Sequence, residues 1–373
     1  MKYTYYPLLL LSLVVFSQKN QTLDEVIVTD TKIDIPFSKK FRSVEIISRN
    51  EIRNAGVLNI VDLLQLITGL DIRRRGVSGI QADLYIRGGG FDQTLLLVDG
   101  MKMDDSQTGH HTLNMLLPID IIERVEIIKG PAARIFGQNA FNGAINIITK
   151  KTKRTRKKEL SFVLNRISYG SFNNFTSSVS ARLSNNNYAS IINYSKDDSD
   201  GYRHNTDFKT DNVFIKSSLS KKNPNTSFIA TLTNRKFGAN GFYASPDATE
   251  QYEKTQTSLI GLKSLYKKGN LIVKPKLYWR RNQDEYIYIR DNPSIYRNLH
   301  KTNKIAFETS FNYFSGLGKT NFGVDISSVS ISSNNLGKHN RFITSIYLDH
   351  SFNLFNKRLN ISPGFSISYF SDL

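Results

Sequence analysis

Four polar side chains crowd one stretch of this chain: Asp104, Asp105, His110 and His111, inside segment 101–114. Carboxylates and imidazoles are the groups that hold metals and move protons. Ligands drawn from a single flexible loop specify no coordination geometry, however, which leaves small-molecule contact or ordinary loop polarity as the readings of this group. A second acidic group, Asp197, Asp198 and Asp200, ends on Gly201, with Asp207 and Asp211 close behind. Several oxygens beside a turn suit Ca²⁺; the spacing is not that of an EF-hand, and a solvated acidic loop is the alternative. No catalytic arrangement emerges. The histidines and scattered serines form neither a nucleophile elbow nor a metalloprotease spacing, and an enzyme is not expected.

Bulk properties narrow the field. The 373 residues contain no cysteine, which removes disulfides, thiolate metal sites and cysteine nucleophiles together. The formal charge of +18 concentrates in Lys150, Lys151, Lys153, Arg154, Arg156, Lys157 and Lys158. No zinc spacing or basic helix accompanies that run, so no nucleic-acid partner is expected. It reads as a solvated basic linker, 151–159, able to face anionic lipid headgroups. The N-terminus has Lys2, an apolar run over residues 8–16 and Ser17, the order of a secretory signal peptide, residues 1–17. No internal run reaches the 18 or more apolar residues a spanning helix needs. Barrel strands remain open, since they show lipid only every second residue.

The elements that position these side chains fall into two series. Residues 18–40 lack a burial pattern and read as a flexible tail containing one short extended run, 23–29. Ser48 and Glu51 have the spacing of a capping box. Asn59 precedes Ile60, Leu63, Leu64 and Ile67, one apolar helical stripe closed by Gly69. Short apolar strands separated by glycines follow, to Thr149. From Leu160 onward the period is two: Leu271, Val273, Pro275, Leu277 and Trp279 alternate with Ile272, Lys274, Lys276, Tyr278 and Arg280. About eleven such strands follow, joined alternately by short turns and longer loops, which is the asymmetry of an outer-membrane barrel.

The ordered set Ile86-Arg87-Gly88-Gly89-Gly90, Leu95-Leu96-Leu97-Val98-Asp99-Gly100, Ile122 to Ile127, Gly130-Pro131, Gly137 and Gly143 to Thr149 resembles the plug domain of TonB-dependent outer-membrane receptors. The resemblance covers residues 23–150. It implies a mainly β fold: a small α+β plug domain, 41–150, followed by antiparallel transmembrane β-barrel strands, 160–373. Eleven strands are about half of a 22-stranded barrel, so a truncated wall is expected. Leu23, Asp24, Glu25, Val26, Ile27, Val28 and Thr29 resemble the family's TonB box, which adds as a strand to a periplasmic energy-transducing partner.

The resemblance further implies that Arg87, with Arg124 or Arg134, locks the plug to glutamates on the barrel wall. Read from the residues alone, pairing within the domain, with Glu123 or Glu126, is equally open. Ligand contacts are expected from plug loops, at Arg74, Gln93, Asp104, Asp105, His110 and His111, and weak Ca²⁺ candidates are Asp197, Asp198 and Asp200. No cofactor is expected beyond that ion. The implied function is energy-coupled import of a scarce solute, cobalamin or a ferric siderophore, by a monomer in the lipid of the outer membrane, coupled to TonB. The alternatives are a passive porin or surface-binding protein, or an inactive receptor fragment.

Overall fold

A computed structural model describes residues 44–372 apart from 75, 77–79, 116, 131–135, 221–224, 244 and 356–358. The signal peptide, the TonB-box segment and Arg134 lie outside the described residues. The chain enters through β1 (Val44–Ser48) and turns directly into α1 (Arg49–Asn54). The predicted capping box forms: the Ser48 hydroxyl accepts from the Glu51 N–H, and the Glu51 carboxylate accepts from the Ser48 N–H. Asn59 caps α2 (Ile60–Gln65) by accepting the Asp62 N–H. The stripe Ile60, Leu63, Leu64 and Ile67 is buried as its spacing requires. Gly69, at φ +81°, makes the left-handed turn into β2 (Leu70–Arg74).

The first domain is built on a five-stranded sheet. Its strands are β1, β4 (Thr94–Val98), β5 (Met101–Lys102), β6 (Ile122–Lys129) and β7 (Gly143–Thr149), in the order β1-β6-β7-β4-β5. β4 runs parallel to β7, while β1, β6 and β7 pair antiparallel. A separate hairpin joins β2 to β3 (Ala82–Ile86). Leu95 to Val98 are apolar on successive positions, and Ile145 to Ile148 are buried on successive positions with Asn146 the one polar member, because both faces of the central strands are covered. Gly143 is obligatory where it stands. A Cβ there would meet the Ile128 carbonyl oxygen at 2.2 Å, and its φ of +156° is outside the range most residues adopt.

The second domain is one antiparallel sheet that curves around the first. Its strands are β8 (Glu159–Gly170), β9 (Asn174–Ser184), β10 (Tyr188–Ser199), β11 (Phe208–Ser220), β12 (Asn225–Gly238), β13 (Tyr252–Lys268), β14 (Leu271–Ile287), β15 (Arg297–Ser315), β16 (Gly318–Ser333) and β17 (Gly337–Leu354). An eleventh pass is split into β18 (Leu359–Ile361) and β19 (Gly364–Phe370), both paired with β17. The break falls at Pro363, which has no N–H for the ladder; its carbonyl still accepts from the His350 N–H. The alternation resolves into faces. Tyr278, Arg280, Asn282 and Asp284 turn inward and are buried, while Leu277 between the inward positions is 52% exposed on the outer face. Among the described residues no helix is long and apolar enough to cross a membrane.

Two features depart from the strict period. At Asn165 the register of β8 against β9 shifts, so Leu164 pairs Val179 and Arg166 pairs Ser178. This bulge flips the following residues: Arg166 turns inward, while Ile167 and Tyr169 take the outer face. The loop asymmetry is also less regular than the sequence suggests. Residues 200–207, 239–251 and 288–296 are long connections at one rim, but 171–173 and 334–336 at that same rim are tight turns.

Candidate functional site

The chemistry of this molecule concentrates where the first domain meets the curved sheet. Asp99 sits in the turn after β4, at φ +48°. Its Oδ1 accepts from the Thr149 N–H at 3.1 Å, and its Oδ2 accepts from the Thr149 hydroxyl at 2.6 Å and Lys216 Nζ at 2.8 Å. Lys263 Nζ stands 3.8 Å from Oδ1. Burial alone would raise this carboxyl; Lys216 and then Lys263 outweigh it and hold Asp99 well below the usual carboxylate range. Asn146 completes the turn, accepting the Gly100 N–H and donating to Glu126.

The next residues repeat the pattern with changing sign. Lys102 Nζ donates to Asp325 at 3.0 Å and lies 3.6 Å from Glu308, so burial, which would lower this amine, is overcome and it is held above its ordinary value. Asp104 takes Lys304 Nζ on both oxygens, at 2.6 and 2.7 Å. Asp105 accepts from Arg280 at 2.6 Å and from the Thr302 hydroxyl at 2.8 Å. Burial raises both carboxyls, yet Lys304 and Arg280 respectively bring them below the usual range. Asn114 Oδ1 accepts from Arg235 at 2.6 Å. On the far flank the bulge aims Arg166 at the Leu58 carbonyl, 2.6 Å away, and at Asp120.

His111 is the neutral member of this seam. Its Nδ1 is 2.7 Å from Asn114 Nδ2 and its Nε2 is 3.7 Å from Asp284. Burial, only partly opposed by Asp105 and reinforced by Arg280 and Arg235, pushes the imidazole down to about 4. Two apolar patches interrupt the polar contacts: Ile80 of the first domain packs with Phe208, Phe237 and Ala239 of the second domain, and a larger patch lies below it. Phe214, Ile229, Leu259, Tyr278 and Ala306 of the sheet join the core of the first domain. Met101 can reach that patch because Gly261 faces it; a Cβ on Gly261 would lie 2.3 Å from the Met101 sulfur.

Comparisons with known proteins bear on the first domain and on the fold around it. Residues 38–144 match the model of the TonB-dependent Receptor Plug Domain. Over that domain the chain is similar to the TonB-dependent outer-membrane receptors. It is 34% identical over 145 residues to the vitamin B12 transporter BtuB of Vibrio vulnificus strain CMCP6, covering 39% of this chain and 24% of that protein. To the BtuB of strain YJ016 it is 32% identical over 193 residues, 51% of this chain and 30% of the relative. The ferripyoverdine receptor of the outer membrane of Pseudomonas aeruginosa superposes with a TM-score of 0.72 at 14% identity, covering 92% of this chain and 54% of that one. The chain thus spans about a quarter to a third of the curated relatives it matches.

Within this chain the sequence-predicted residues take specific places. Arg124 pairs with Glu126 at 2.7 Å inside the plug, the intradomain pairing that the residues alone left open, because both project from the same face of β6. Arg87 is exposed at φ +50°, its side chain lying across Gly69 and Gly130 of the plug. Among the described contacts across the seam, acids on the plug meet bases on the wall, with Lys102 reversed. Arg74 pairs with Asp62, and Gln93 accepts from Asn142 at 2.7 Å, both within the plug. His110 bonds Asp83 at 2.7 Å and stacks on Phe91 at 4.0 Å. Asp104, Asp105 and His111 are brought together, but against the wall.

The acidic loop does not converge. Asp197 and Asp198 are neighbours on β10 and so face opposite sides; Asp198 pairs Lys196 at 2.8 Å, while Asp200 accepts from Asn173 at 2.6 Å. Among the described residues no three His, Asp or Glu side chains gather as a metal site. The long rim loops instead brace one another. Asn205 donates to the Thr249 and Gln251 carbonyls at 2.7 Å, and Arg290 forks onto Asp207 at 2.5 and 3.0 Å. Tyr243, Tyr286 and Tyr296 meet edge to face along this rim. Sequence reasoning missed Asp99, Lys102, Lys216, Arg235, Asp325 and Arg166; inward-parity cations in the strand series are the signal that could have found the wall members.

Proposed function

We propose that this chain carries the capture and coupling parts of a receptor that imports a scarce solute of the cobalamin or iron-siderophore type across the outer membrane. The braced, aromatic outer rim receives the solute. The plug then shifts inside the wall when the TonB box, residues 23–29, is engaged by a TonB-type energy-transducing protein in the periplasm. The observation that carries this reading is the seam itself. Charged and hydrogen-bonded contacts can be exchanged for contacts with water, so the plug can change position without exposing a large apolar face. A passive porin has no use for a seam of that kind. Coupling requires the box to be released more readily with solute bound than without it, since a ligand shifts an equilibrium only by its differential affinity.

The test is deletion of residues 23–29 in the full-length receptor. Uptake should stop while solute still binds the cell surface, and collapse of the proton-motive force should do the same to the unaltered receptor. Uptake that survives both treatments would overturn the coupled mechanism.

A further inference from the structure

On the outer face of the wall, near the rim that carries the long loops, Lys209, Lys236 and Lys254 stand in one row. The ladder sets Lys209 of β11 directly opposite Lys236 of β12, and Lys236 directly opposite Lys254 of β13. Their strand neighbours Thr210, Arg235, Glu253 and Thr255 turn inward and are buried, so the lysines point away from the plug. Adjacent strands lie about 4.8 Å apart, and the row therefore spans roughly 10 Å. Like charges directly opposite each other destabilise a sheet, and here one such pair follows another.

The acids nearby do not balance the row. Asp198 stands opposite Lys209 but pairs with Lys196 at 2.8 Å. Glu285 stands opposite Lys254, 3.5 Å from that amine, and also takes Arg297 at 2.6 Å. Among the described residues Lys209 and Lys236 have no ion-pair partner. Both line a recess of about 420 Å³ on this face, together with Phe175, Lys196, Asp198 and Tyr252. Of the other acids at the recess, Asp207 is forked by Arg290 and Asp200 accepts from Asn173. Lower on the same face the register runs through Val213 and Leu232 to Ile260, Leu277, Ile305 and Phe307, an exposed apolar belt. Lys209 lies about 13 Å along the strand from Val213, or about 9 Å in height at a barrel tilt near 45°. Headgroups fill roughly the first 5–7 Å beyond the hydrocarbon, so the row stands at the outer edge of that layer.

We propose that Lys209, Lys236 and Lys254 bind the phosphate groups of an outer-leaflet lipid headgroup, whose body sits in the recess beside Phe175 and Tyr252. Phosphate brings the counter-charge that the row lacks, and its oxygens can accept from two ammonium groups at once. The proposal rests on the membrane placement within the import reading and not on the import step.

Titration of the purified full-length receptor, in an uncharged detergent, with fluorescent lipid A tests it; that lipid carries phosphates on a disaccharide headgroup. Lipid A should bind, and the Lys209→Gln/Lys236→Gln double variant should lose about thirtyfold in affinity, the combined effect of two lysines at an anionic lipid surface. In detergent alone that variant should melt no earlier than the unaltered receptor, because it loses a repulsion. Lys209→Arg/Lys236→Arg, which keeps the charge, should bind lipid A as the unaltered receptor does, and so should Lys267→Gln/Lys268→Gln at the opposite rim. No lipid A binding, equal affinity in the glutamine variant, or displacement of lipid A by equimolar inorganic phosphate overturns the lipid site. Flotation with phosphatidylcholine vesicles is scored separately. A receptor that stays in solution overturns the membrane placement; one that floats without selecting lipid A overturns the site alone.

Discussion

The inside of the plug and its boundary with the wall are built from opposite materials. Inside, Leu96, Val98, Ile127, Ile145 and Ile147 are fully buried among other apolar chains. At the boundary the recurring contacts are Asp99 with Lys216, Asp104 with Lys304 and Asp105 with Arg280, relieved by two apolar patches. Apolar packing has no specific replacement in water, whereas a paired charge can trade its partner for solvent. The difference lets one domain be cohesive in itself and separable from what surrounds it.

The largest effect that would break this contrast is at Asp99. Asp99→Ala leaves Lys216 buried without its carboxylate and should destabilise the plug by about 3–5 kcal/mol, read as an earlier denaturant midpoint. The core sets the second test: Leu96→Ala should cost about 2–5 kcal/mol by leaving a cavity, and here no compensating partner change should rescue it. At the seam rescue is expected. The double variant Asp104→Asn/Lys304→Met should be more stable than Asp104→Asn alone, since no buried charge is then stranded; a core-like, additive loss would erase the distinction.

Acid provides the third test. His111 is held neutral in the fold, down to about 4 against an ordinary 6.5, by burial together with Arg280 and Arg235 and against Asp105. The unfolded chain thus takes up its proton first, so stability is full above about pH 6.5 and falls as the pH drops toward 4, by on the order of 2–3 kcal/mol. Replacing His111 by Gln should flatten that slope in a melting series. The depressed Asp99, Asp104 and Asp105 act lower still: their contribution is present above the ordinary carboxylate range and is lost only as the pH falls through their lowered values. The smallest effect belongs to the plug's local structure, where Ser48→Ala removes a capping box at a cost of about 1 kcal/mol.

Local rules carried much of the architecture into the sequence. Ser48, Asn59 and the Ile60 stripe announce their helices through side-chain spacing, and the alternation after Leu160 yields eleven wall passes. The motifs from Ile86 to Thr149 mark the plug. What escaped depends on pairing between distant segments. Arg166 would face lipid under a strict period of two; only the bulge at Asn165, a property of β8 against β9, turns it inward. Asp99 reads locally as a turn residue, and its burial beside Lys216 follows from two domains meeting 117 positions apart in the chain. Arg124 was drawn toward the wall by resemblance, whereas Glu126, two residues along the same strand face, is its nearer partner.

The nine residues between the end of β7 and the start of β8 set the plug's freedom of travel. Fully extended they would reach roughly 30 Å. They are also stitched to both domains: Lys150 N–H donates to the Ile121 carbonyl of the plug, while Arg154 donates to the Asn186 carbonyl and Thr155 meets Ser184 at the rim of the wall. The plug is therefore on a short leash. A displaced plug would stay tethered at this end, so its other end has the greater freedom to move and its seat stays within reach.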